Sequence, residues 1–158
     1  MCDYSLMGIR NRLAVEGEEL VTLRFSTGSV GLAPWDKATG QIHVKAQTGF
    51  WATARKLLFG SIRDSVPAIC IPPGARLLLI GVQRGIQQRA AASVEEEVTF
   101  TQLTATENHY RDAVRFGNGV EILLQDFAEG QRVRVLDLSL AEPRQADAEE
   151  SRAFTMVH

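Results

Sequence analysis

The chain has 158 residues, 17 basic and 19 acidic side chains, and a net charge of −2. That length fits one domain with a core large enough to need no staples, and an ordinary composition, 45% hydrophobic and 23% charged, argues against wholesale disorder. The charge balance lacks the basic field with which a general nucleic-acid binder displaces counterions, and no run approaches the roughly 18 apolar residues of a spanning helix.

The expected partners are therefore neither nucleic acid nor membrane. Residues 1–12 show no basic stretch followed by an apolar one, so the expected location is the cytoplasm. Two cysteines make at most one bridge; the expected compartment is a reducing one, and Cys2 and Cys70 form a redox pair only where the fold brings them within bridging distance.

Taken along the chain, residues 19–25 alternate, with Val21, Leu23 and Phe25 against Leu20, Thr22 and Arg24, which is the period of a strand. Ser26-Thr-Gly-Ser29 supplies a turn, and residues 30–33 a short return strand. Residues 34–40 read as a loop and 41–45 as a further short strand. Over 48–64 the period changes: Phe50, Trp51, Ala54, Leu57, Leu58 and Ile62 form a helical stripe, with Thr48 as N-cap and Val66-Pro67 as the stop. Residues 68–71 and 75–82 read as strands around Pro72-Pro73-Gly74. The second is apolar on both faces and is expected at the sheet centre. Residues 83–92 fit a loop or a short helix.

The stretch 95–140 reads as strands joined by a loop around 106–109, a hairpin turn and a turn over 127–130. Val98 and Phe100 alternate with Thr99 and Thr101; Asp112, Val114 and Phe116 alternate with Ala113 and Arg115. Gly117-Asn-Gly119 joins two arms of a hairpin over 110–126, with Asn118 and Gly119 suited to positive φ. In the last strand the apolar phase slips from Val133 and Val135 to Leu136, Leu138 and Leu140, which places a bulge near Val135-Leu136. The expected fold is mostly β: a small barrel or sandwich of seven or eight short strands with one amphipathic helix, the alternative being an α+β sheet with the helix on one face. It occupies 1–140, and 141–158 form an acidic, mobile tail.

Candidate chemistry is sparse. Removal of Met1 would give Cys2 a free α-amine, able to serve as base for its own thiol in a thiol-dependent enzyme or redox protein. Cys70, in an apolar run, reads as a buried small hydrophobe. His43, His109 and His158 lack the spacing of metal ligands, and no cofactor-binding loop is present, so neither metal nor cofactor is expected. Glu95-Glu96-Glu97 reads as a solvated strand entrance.

Arg111 and Arg115 share one face of a strand, as do Arg132 and Arg134. Were the two strands adjacent, four guanidinium groups would form a strip suited to a protein partner or a small anionic ligand. Trp35, after Pro34, is suited to plugging a barrel end or capping a small-molecule site in its mouth. The leading expectation is a non-catalytic binding or interaction module.

Met1-Cys-Asp-Tyr-Ser-Leu6, the stretches 11–20 and 24–32, and Tyr110-Arg-Asp-Ala-Val-Arg-Phe-Gly-Asn-Gly119 together resemble a set of small bacterial proteins that open Met-Cys-Asp-Tyr-Ser-Leu. The resemblance spans most of 2–140. It implies a bacterial, cytoplasmic origin and carries no activity or residue role with it.

Overall fold

The computed structural model describes residue 6 and residues 8–38, 66–103 and 110–140. Among them, nine strands form one sheet: β1 (Asn11–Leu13), β2 (Glu19–Arg24), β3 (Val30–Pro34), β4 (Ala68–Cys70), β5 (Arg76–Ile80), β6 (Glu95–Gln102), β7 (Asp112–Phe116), β8 (Glu121–Leu123) and β9 (Arg132–Asp137). Their order is β1-β4-β3-β2-β9-β5-β6-β7-β8. β1 runs parallel to β4, and every other neighbouring pair is antiparallel. The sheet curls into a half-barrel, so the fold is mostly β.

Alternation decides what lies inside. Leu20, Leu32, Leu77, Leu79, Val98, Phe100, Val114, Phe116, Ile122, Val133 and Val135 point to the concave face and pack as one buried cluster. Each such side chain contributes roughly 1.5–3 kcal/mol by leaving water. Helix α1 (Arg84–Ala90) adds Ile86 and Ala90 to the cluster. The helix is tied down by Asn118, whose Nδ2 donates to the Ala90 carbonyl at 2.6 Å.

The curl brings the 3-10 turn Leu124–Asp126, which follows β8, against β3. There Gln125 acts as one rung of a ladder. Its Oε1 accepts from the Val30 N–H, and its Nε2 donates to the Val30 carbonyl, both at 2.9 Å. A side-chain amide thus satisfies the backbone of β3 beyond its single pairing with β4, Leu32 to Ile69.

The convex face carries a second buried apolar cluster over β2, β3 and β4. Val21, Leu23, Ala33 and Ala68 there pack with Leu6, Ile9, Phe25, Ala38 and Val66. Gly31 makes this fit possible: a Cβ there would meet Leu6 Cδ1 at 2.7 Å and Phe25 Cε2 at 3.1 Å. Beyond β2 the convex face bears ion pairs beside the half-buried Leu78 and Ile80.

Most expected strands are present, including the bulge. Leu77 pairs with Val135 while Arg76 pairs with Asp137, so Leu136 is the extra residue. β5 is internal, between β9 and β6, yet its Leu78 and Ile80 are only half-buried because the convex face is uncovered there. Residues 83–92 contain α1. Pro34 belongs to β3, and residues 35–38 open a helical turn rather than a loop.

The hairpin turn uses positive φ at Gly119 alone (86°), not at Asn118. Gly119 N–H donates to Phe116 and Phe116 N–H to Val120, the pattern of a one-residue bulge after a tight turn. β1 had no counterpart in the sequence reading. The expected strand over 41–45, the helix over 48–64 and the tail over 141–158 lie outside the described residues.

Candidate functional site

Glu19, the first residue of β2, stands on the convex face opposite Arg134 of β9, with Arg132 on the diagonal. Both guanidinium groups reach it. Arg132 Nη2 donates to Oε2 at 2.9 Å, and Arg134 Nη2 to Oε1 at 2.6 Å. These two bonds, Arg134's first, hold the Glu19 carboxyl below the ordinary range. From this anchored position Arg132 lies over the Trp35 ring, its Cζ 4.6 Å from the centroid, within cation–π range. Trp35 itself is half-buried against the convex apolar cluster, because β3 ends at Pro34 and the chain turns there.

A second ion pair closes the other side. Arg12 of β1 bonds both oxygens of Glu18, through Nη1 to Oε2 at 3.0 Å and Nη2 to Oε1. The Val15 N–H donates to Glu18 Oε2 at 3.1 Å. The bond to Arg12 lowers the Glu18 pKa, and the same bond raises that of Arg12.

Between the two pairs lies an open depression of about 400 Å³, lined by Arg12, Glu18, Glu19, Pro34, Trp35, Asp36 and Lys37. Asp36 and Lys37 are exposed on the helical turn. The arrangement is a fixed aromatic and guanidinium pair bordered by charges of both signs. It can exchange polar contacts with a partner surface, while closed, predominantly apolar ligand pockets are built differently.

The four-arginine strip does not form. β5 and β6 separate β7 from β9, so the pair Arg132 and Arg134 stands apart from Arg115. Arg115 bonds Glu121 of β8 through Nε at 2.8 Å, and Arg111 lies just before β7, its carbonyl accepting from Leu103 N–H at 2.9 Å. Among the described residues the concave interior is filled by side chains, and the depression beside Trp35 is a surface site lined largely by charged residues rather than a mouth of that interior.

Glu97 pairs with Arg76, and Glu96 accepts from Ser93 N–H at 2.9 Å, so two of the three consecutive glutamates serve local structure. Sequence reading missed Arg12, Glu18, Glu19, Asp36 and Lys37. Arg132 and Arg134 carried the usable signal, two cations on one face, but their partner lies more than a hundred residues away.

Cys70 is buried, as expected, and it is disulfide-bonded. The chain's other cysteine is Cys2, which lies outside the described residues. A bond between the two and a nucleophilic Cys2 exclude one another. His43, His109 and His158 also lie outside, and among the described residues no three of His, Cys, Asp and Glu are grouped to hold a metal ion. Among the same residues no helix is long and apolar enough to cross a membrane.

No protein-family model, curated protein or solved structure matches the chain.

Proposed function

We propose that the chain is a non-catalytic interaction module that engages a protein partner through the depression at Trp35. The observation that carries the reading is the stack of Arg132 on Trp35, fixed by Glu19 on the convex face. Trp and Arg are the residue types that most often dominate binding energy at protein interfaces, and side chains already held in place lose less entropy on association. The surrounding Arg12, Glu18, Asp36 and Lys37 supply a polar rim.

A photocrosslinking amino acid at Lys37, compared with one at Arg115 on the distant β7, tests the reading in cell extract. A discrete adduct is expected at Lys37, absent at Arg115 and lost with Trp35→Ala. The same adducts from both positions would overturn it.

A small anionic ligand is the second reading. It is favoured by one carboxylate, Glu19, serving two guanidinium groups, a trio with net positive charge. Inorganic phosphate at millimolar concentration would then suppress the Lys37 adduct; an unchanged adduct leaves the protein partner as the occupant.

A further inference from the structure

We infer that the chain carries a redox-sensitive strap: Leu6 and residues 8–13 are held on β3 and β4 by the disulfide of Cys70, and reduction of that bond loosens them. The inference does not rest on the Trp35 reading, although Arg12 of the strap also lines that depression.

Cys70 ends β4 and is 5% exposed. Alternation along this strand puts Ile69 in the concave cluster and Ala68 in the convex one, so Cys70 shares the convex face with Ala68. On that face Leu6 and Ile9 are buried, with Leu6 filling the space above Gly31. The strap then turns along the edge of β4. Ala68 N–H donates to Arg10 at 2.8 Å, β1 pairs in parallel with β4, and Ala14 N–H donates to Cys70 at 3.0 Å.

The edge pairing is weak on its own. β1 has three residues, all exposed, and parallel pairing is the less stable kind. Two buried apolar side chains, a three-residue ladder and the Arg12–Glu18 pair at the surface hold the strap, and the covalent bond adds a further constraint. Cys2, the chain's other cysteine, precedes Leu6 by four residues and is the partner that the chain itself offers.

A dithiol reductant opens the bond by thiolate attack on one sulfur. The S–S bond breaks and a mixed disulfide forms. The reductant's second thiol then displaces the remaining cysteine as the reductant closes to its own disulfide. Two electrons and two protons pass to the protein, which ends with two thiols. Glutathione disulfide reverses the exchange and leaves two glutathione thiols.

The test uses the full chain, equilibrated with dithiothreitol or with glutathione disulfide and then exposed briefly to trypsin. Intact mass reports the bond, and peptide mass reports each cut. Cleavage after Arg10 and Arg12 is expected to be about tenfold faster in the reduced protein, because cutting follows the population of the locally open form. Cleavage after Arg89 in α1 and Arg115 in β7 is expected not to change. Cys70→Ala should match the reduced rate in both buffers, and Cys2→Ala takes its place if that variant does not fold.

Equal rates at Arg10 and Arg12 in the two states would overturn the strap. So would an acceleration spread evenly over all four sites, or a disulfide-linked dimer in place of an internal bond.

Discussion

The two halves of the sheet share one interior and differ on the outside. Over β2, β3 and β4 the convex face is apolar and is covered by Leu6, Ile9, Ala38 and Val66. Over β5 to β8 the same face has no apolar cover among the described residues and bears cross-strand ion pairs, Arg76 with Glu97 and Arg115 with Glu121, beside the half-buried Leu78 and Ile80. The side chains outside β2 to β4 therefore contribute to the fold, while those outside β5 to β8 keep the sheet solvated, since exposed pairs add about 0–1 kcal/mol each. Glu19, Arg132, Arg134 and Trp35 lie where the two regimes meet. That border is where an aromatic ring can be anchored on an apolar cluster and still face charges.

The comparison breaks most readily from the inside. Phe100 is 2% exposed in the shared concave cluster. Phe100→Ala is expected to cost about 3–5 kcal/mol, measured by urea denaturation, and a loss below about 1 kcal/mol would mean the interior is not shared.

Gly31→Ala sharpens the covered half. The new methyl meets the end of Leu6 and the Phe25 ring, and the expected cost is about 1–3 kcal/mol. Adding Leu6→Ala should return part of the loss despite removing apolar surface, and strict additivity of the two would contradict the packing described. On the polar half, Arg115→Ala breaks an exposed pair with Glu121 and a long 3.4 Å bond to Thr101, and should change stability by less than about 1 kcal/mol.

Much of this division was legible in sequence, for identifiable reasons. Period-2 alternation marked β2, β6, β7 and β9, and the phase slip at Leu136 marked the bulge, because a one-residue insertion reverses every later side chain. β1 was missed because Asn11, Arg12 and Leu13 are all exposed, so no alternation betrays them. The candidate site was legible only in part. Arg132, Arg134 and Trp35 stood out as residue types, but strand order sets which groups meet, and β5 and β6 come between β7 and β9. Glu19 carried no signal of its own in the sequence, because its partners Arg132 and Arg134 lie on β9, more than a hundred residues away.

The smallest expected effect is one of pH. The bonds from Arg134 and Arg132 lower the Glu19 pKa in the folded protein. Their stabilisation is complete above the ordinary carboxylate value of about 4.3, and it fades as pH falls through the lower folded value. The emission contributed by Trp35, taken as the difference from Trp35→Phe, should stay constant from pH 7 to about 4.3 and change only below that. A transition centred above the ordinary value would contradict the clamp.

The surface at Trp35 is tested most directly by the affinity of the partner captured at Lys37 for Arg132→Lys. Lysine keeps the charge but loses the planar group that both stacks on Trp35 and reaches Glu19. Binding about tenfold weaker than wild type is predicted, the size expected of a residue worth more than 1 kcal/mol at an interface. An affinity equal to wild type would contradict the account.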